Sequence, residues 1–284
     1  MITELAPGVL RVAHVDERLF RSKTGVTAWW ARLFGGGTDT PALLDDAEHI
    51  LVSHDRLKAA VTEVFGVDPA RVTVVGYVAP PDLPTPTDPV SRRITKEVYG
   101  NEHSYFYAPT YGGPVDNLPA LIAAYTAFRR RVPEPVRLLV AAADHERAAR
   151  RAARQSPFAE DIVWLPEVSA SEQHGLVAAA RAVVFPSLST RFPGPVLAAW
   201  SAGVPVLCGD RDVLLGGGAQ VQARDVDSIA GALVALVTTP FLASGLVDNG
   251  TQRLAAFRAE NVRPGQVALL EKLGLPATAF PVFG

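Results

Sequence analysis

The sequence predicts an α/β protein built from two Rossmann-like domains, and three observations predict it. Short apolar runs alternate with longer amphipathic stretches along most of the chain, the pattern of βαβ units on parallel sheets. A proline-rich segment, Pro80–Pro89 (PPDLPTPTDP), interrupts that alternation and offers few hydrophobic anchors, as a domain boundary does. Hydrophobic residues make up 48% of the 284 residues, enough for a sizeable core, yet no apolar run reaches the ~18 residues of a membrane helix. The expected division is therefore residues 1–88 and 89–284.

In the first block, Val9–His14, His49–Ser53 and Arg71–Val78 read as strands. Thr24–Phe34 reads as a helix broken by Gly35-Gly36-Gly37, and Ala42–Glu48 as a short helical turn opened by Thr40-Pro41. Asp55–Phe65 is an amphipathic helix stopped by Gly66. The second block opens with a helix over Pro89–Tyr99 and a strand over Tyr105–Ala108. A helix over Leu118–Arg131 follows, with Leu121, Ile122, Tyr125 and Phe128 at helical spacing.

The alternation is then regular. Strands are expected at Val136–Ala142, Ile162–Leu165, Ala182–Phe185, Val204–Cys208 and Gln220–Ala223. Helices are expected at Asp144–Arg154, Ser171–Ala180 (capped by Ser169 or Ser171), Pro195–Ala202 and Val226–Thr238. Gln252–Asn261 and Gln266–Lys272 form a terminal helical pair. In open α/β sheets ligands sit beyond the carboxyl ends of the strands, which points to the loops after Ala108, Ala142, Leu165, Phe185 and Cys208.

Several function classes are excluded on the same residues. A formal net charge of −2 gives no field for nucleic acid or acidic lipid. The basic runs Arg129-Arg130-Arg131 and Arg147–Arg154 carry no interleaved aromatics. The six histidines show no metal-ligand spacing and Cys208 has no partner cysteine, so no metal is expected. Ser53 and Ser187 lack the G-x-S-x-G elbow of hydrolases. Gly35–Gly37 and Gly216–Gly218 do not follow a phosphate-loop pattern. A cytoplasmic protein without signal peptide or transmembrane segment is expected. Trp29, Trp30 and Phe34 form an aromatic cluster that reads either as core or as a partner surface.

Three stretches together resemble the family-4-type glycosyltransferases. Ile50–Val78 is similar to the end of their acceptor domain. Tyr99–Ala142 is similar to the first strand, glycine loop and helix of their donor domain. Ile162–Val206 follows the family's order without a gap, from a proline-serine pair that ends a strand to a helix running into Ala-Gly-Val-Pro-Val. The resemblance implies a GT-B-like fold with a reduced N-terminal acceptor-type domain and a C-terminal donor-type domain. It implies retaining transfer from a nucleotide-sugar substrate, with no cofactor and no metal. It also places Leu215–Gly218 where the family has its nucleotide-sugar loop.

The departures from the family's pattern concern charge. The positions of the phosphate-binding Arg and Lys fall on Val115 and Asp116, and those of the two glutamates on Thr190 and Ala198. Each lost charge-assisted hydrogen bond forgoes about 1.5–3 kcal/mol. What remains as donor-binding candidates is Thr110, Gly112, Gly113, Asn117, Glu167, Val168, Ser187, Thr190, Arg191 and Gly194, with Arg191 a replacement charge. His14, in a strand resembling the family's His-Asp strand, is the acceptor-side candidate. Three roles compete: a transferase with an altered donor site, a non-catalytic partner of an active glycosyltransferase or homodimer, and a sugar- or nucleotide-binding module.

Overall fold

The computed structural model describes residues 2–4, 11–15, 44, 47–110, 114–141, 146–166, 169–188, 194–209 and 217–274, with backbone alone at 2–4, 11–15 and 56. The expected helix over Thr24–Phe34, the aromatic cluster within it and the Gly35–Gly37 breaker lie outside these residues. The chain divides into two compact units, one of Met1–Pro80 with Thr190–Phe192 and Ala256–Gly284, the other of Pro81–Ser189 with Pro193–Ala255.

The first unit is built on a four-stranded sheet in the order β1-β2-β3-β4: Ile2–Glu4, Arg11–Val15, His49–Val52 and Val72–Val74. β1 runs antiparallel to β2, and the other neighbours are parallel. The helix α1 (Asp55–Phe65) is stopped by Gly66 in the left-handed region. Its Leu57, Val61, Val64 and Phe65 bury against Ile50, Val52 and Val72. The last strand is shorter than the expected Arg71–Val78. Val75 still donates to the Val52 carbonyl at 2.9 Å, but Gly76 turns to φ 81° and ends the extension. His14 pairs with Leu51 inside β2.

The expectation put residues 256–284 with the C-terminal domain. Of these, residues 256–274 group with the first unit instead. Ala79 N–H donates to the Phe257 carbonyl at 2.7 Å, and a Cβ on Gly76 would stand 3.3 Å from Val262. The terminal helices also differ from the expected pair: they are Pro240–Ala255 and Ala259–Lys272. Pro264 does not break the second of them. It lies on the exposed side with Arg263 and Gly265, where water can satisfy the carbonyl its missing N–H leaves.

The second unit is a six-stranded, wholly parallel sheet in the order β10-β9-β8-β5-β6-β7. The strands are β5 Ser104–Pro109, β6 Val136–Ala141, β7 Ile162–Leu165, β8 Ala182–Phe185, β9 Val206–Gly209 and β10 Ala219–Val221. Connecting helices are α2 Pro89–Gly100, α3 Leu118–Arg131, α4 Arg147–Gln155, α5 Ala170–Ala179, α6 Gly194–Ser201, α7 Val226–Thr238 and α8 Pro240–Ala255. β9 starts two residues later than expected because Val204 N–H closes back on Ala199 at 2.9 Å, as part of the turn after α6. The core lies between the sheet and α3, α4 and α7, with Phe106 and Phe128 edge-to-face at 5.3 Å. Buried Tyr105 and Tyr125 donate to the carbonyls of Leu176 and Val136, both at 2.8 Å. No single helix among the described residues is long and apolar enough to cross a membrane.

Ser169, one of the two expected caps, opens α5 in a capping box. Its hydroxyl accepts from Glu172 N–H at 3.3 Å, and the Glu172 carboxylate takes the Ser169 N–H at 2.8 Å. The Ser169 hydroxyl, the Ser169 N–H and the Tyr99 hydroxyl, in that order, hold the Glu172 carboxyl below its ordinary pKa. A depressed carboxyl stabilises the fold above its unfolded pKa, and that contribution disappears as pH falls through the folded value. Ser169→Ala is expected to cost about 0.5–2 kcal/mol at neutral pH, and less in acid. Urea unfolding of both proteins at pH 7 and pH 3 checks this.

Candidate active site at the switch between β5 and β8

Chain winding reverses between β5 and β8. From β5 the chain passes outward to β6 and β7, then returns to β8 on the other side and continues to β9 and β10. Such a reversal opens a crevice at the carboxyl ends of the two central strands, where their following loops part. The described parts of these loops are Thr110 and residues 114–117 after β5, and residues 186–188 after β8.

Thr110 leaves β5 with its hydroxyl donating to the Ala141 carbonyl at the end of β6. A 3-10 turn over Pro114–Asp116 then leads to Asn117, which takes the left-handed conformation (φ 57°) immediately before α3. Asn117 does not cap that helix with its side chain. Its amide instead donates to the Pro186 carbonyl at 3.2 Å and to the Ala223 carbonyl. From the opposite loop, the buried Ser187 hydroxyl and the Leu188 N–H converge on the Val115 carbonyl at 3.0 and 2.7 Å. The two loops are thus tied together through backbone carbonyls.

Gly209, at the end of β9, completes the floor. A Cβ there would lie 3.1 Å from the Ser187 carbonyl and 3.2 Å from Ala223 Cβ, so only glycine fits without a shift. Beyond Ser187, Gly194 opens α6, and a Cβ on it would meet nothing within 4 Å. Ala198 lies one turn further along, half-buried. Asp116 is only 3% exposed.

The structure brings Val115, Asn117 and Ser187 into one network, as their placement on facing loops anticipates. It gives Asn117 and Ser187 scaffold contacts: their donors are occupied by protein carbonyls. Asp116, at the position where the family has its phosphate-binding lysine, is a buried residue. Gly112, Gly113, Glu167, Val168, Thr190, Arg191, Leu215, Gly216 and the His14 side chain lie outside the described residues. Gly217 and Gly218 lie in the turn that precedes β10, as expected of turn glycines, and are closely packed as well. Cβ atoms there would come to 2.7 Å from Trp200 Cη2 and 3.1 Å from Cys208 Sγ. Leu188, Gly209 and Ala223 were not named as site residues, although Leu188 and Gly209 follow the strands ending at Phe185 and Cys208, whose loops the sequence points to.

Residues 105–239 match the family model described as Glycosyl transferases group 1. A search of curated proteins gives no match. Among solved structures, sucrose-phosphate synthase from Thermosynechococcus elongatus superposes with a TM-score of 0.66 at 18% identity, over 82% of this chain and 60% of that one. HepE of Anabaena, in complex with UDP-glucose, gives 0.74 at 13% identity, over 92% and 72%. WaaG, a glycosyltransferase involved in lipopolysaccharide biosynthesis, gives 0.65 at 15% identity, over 84% and 66%. This chain therefore spans 60% of the length of the synthase it resembles. The chain has the GT-B fold of these glycosyltransferases, and the family match to glycosyl transferases group 1 covers its residues 105–239.

Proposed function

We propose that the C-terminal unit binds the diphosphate end of a nucleotide sugar at the β5–β8 crevice, with weak or no independent sugar transfer. The observation that carries this reading is a preserved scaffold without its charges. The loops are tied by Asn117, Ser187 and Leu188, while Val115 and Ala198 are apolar and Asp116 is buried. Recognition then falls to backbone amides around the start of α6, where the unpaired N–H groups and helix dipole favour an anion. A uridine nucleotide is the first choice, because UDP-glucose is the ligand named for HepE. Transfer needs charge stabilisation that grows in the transition state, and backbone amides alone supply only part of it.

Calorimetric titration with UDP, GDP, ADP and TDP, without added metal, tests the proposal. UDP is expected to bind in preference to the others. Failure of all four to bind sinks the nucleotide reading. Glucose transfer or UDP-glucose hydrolysis at the ordinary enzymatic rate of about 1–10³ per second sinks the claim of weak activity.

A second reading, the non-catalytic partner subunit, is favoured by one surface. Val90, Ile94 and Val98 form an apolar stripe along α2 at 58%, 51% and 67% exposure. Exposed stripes of this kind mark contact with another chain. Co-expression with a candidate glycosyltransferase and light scattering test it; a strictly monomeric chain that captures no such partner removes it.

A further inference from the structure

The amino edge of the C-terminal sheet, opposite the crevice, holds a cavity of about 320 Å³. It lies where β5, β8 and β9 begin, with Ser104, Arg181 and Val204 on its wall, closed by α2 on one side and the first turns of α8 on the other. Three cations face it: Arg92 and Lys96, one turn apart on α2, and Arg181, just before β8. No carboxylate lines it among the described residues.

Arg181 is partly committed. Its guanidinium pairs with Glu134 at 2.5 Å and donates to the Val237 carbonyl at 3.2 Å. Arg92 and Lys96 form no ion pair among the described residues, and neither hydrogen-bonds the last carbonyls of α5 that also border the cavity. They are therefore not helix caps. Three cations against the one carboxylate of Glu134 leave two positive charges uncompensated in a shared concavity. Burial, then repulsion from Arg92 and Arg181, lowers the Lys96 pKa, so the three cations sit close enough to oppose one another. Crowding like charges raises the free energy of the empty site, and a bound anion relieves it.

We propose that this cavity is a binding site for a phosphoryl dianion, either free phosphate or a small phosphomonoester, separate from the nucleotide crevice. Two uncompensated positive charges match the dianion's two negative ones. Arginine contributes a planar fork and lysine a point charge, a pairing suited to three phosphate oxygens. The open face of the cavity leaves room for the substituent of an ester.

Calorimetric titration at constant ionic strength tests this, with orthophosphate in one arm and glycerol 1-phosphate in the other. At least one is expected to bind saturably, tighter binding of the ester identifying a metabolite site. Arg92→Glu and Lys96→Ala are each expected to weaken it about tenfold or more. Arg92 is exposed, so its replacement leaves folding intact, which circular dichroism verifies. Saturating UDP is expected to leave phosphate binding unchanged. The proposal is overturned if neither phosphate binds, if both variants bind as the parent does, or if UDP displaces the ligand. Loss of UDP binding alone would bear only on the crevice.

Discussion

Gly250→Ala is expected to destabilise the C-terminal unit by about 1–3 kcal/mol, although alanine in a helix interior normally gains about 0.5–1 kcal/mol over glycine. Gly250 lies in α8 against the indole of Trp200, which is 1% exposed. A Cβ there would stand 2.8 Å from Trp200 Nε1 and 2.9 Å from its Cγ. Gly217 presses on the opposite part of the ring, where a Cβ would come to 2.7 Å from Cη2. Both glycines lie against this one buried ring, so a Cβ at 250 forces the indole or α8 to shift. Overpacking then outweighs helix propensity. The contrast lies in the same helix: a Cβ on Gly245 meets nothing within 4 Å, so Gly245→Ala is expected to stabilise by about 0.5–1 kcal/mol. Trp200→Ala empties the slot and is expected to cost about 3–5 kcal/mol. Urea unfolding of the three variants gives the signs directly. A stabilised Gly250→Ala protein would mean that α8 moves off Trp200 at little cost.

These contacts also show where sequence reading ends. Asp55–Phe65, Leu118–Arg131, Ile162–Leu165, Ala182–Phe185 and Val226–Thr238 were legible with their bounds, because apolar periodicity and local stop signals coincide there. α8 was not. Its Gly245, Asn249 and Gly250 are poor helix formers, and its stability comes from packing that no local pattern displays. The glycines at 217, 218 and 250 carry no packing signal in the sequence, yet each is a place where backbone comes close to Trp200 or Cys208. The crevice was legible in part. Residue type and family order placed Val115, Asp116, Asn117 and Ser187 there. Their partners are main-chain carbonyls of Pro186, Ala223 and Val115, and a carbonyl has the same chemistry whatever side chain it carries. The cationic cavity on the amino edge was invisible for a related reason. Arg92 and Lys96 are remote in sequence from Arg181, and only the strand order β8-β5 brings them together.

Val115→Arg is expected to strengthen UDP binding by about tenfold or more, the return on one charge-assisted contact of about 1.5–3 kcal/mol. The structure makes this position the one to test. Val115 is half-buried, and the network uses its carbonyl rather than its side chain, so Ser187 and Leu188 can keep their bonds after the exchange. An arginine there also brings a forked donor suited to a diphosphate. The neighbouring exchange, Asp116→Lys, has the opposite expectation. Asp116 is only 3% exposed, so a lysine must bury its ammonium or break the turn, and stability falls before affinity can rise. Calorimetry with UDP on the parent and both variants, beside their urea unfolding curves, separates the two effects. Stronger binding in Val115→Arg alone would place the diphosphate beside the Pro114–Asp116 turn and make lost charge the reason for weak activity. A Val115→Arg variant that folds normally and binds UDP no better would place the phosphates elsewhere, and the family's loop would then survive here as scaffold without its ligand.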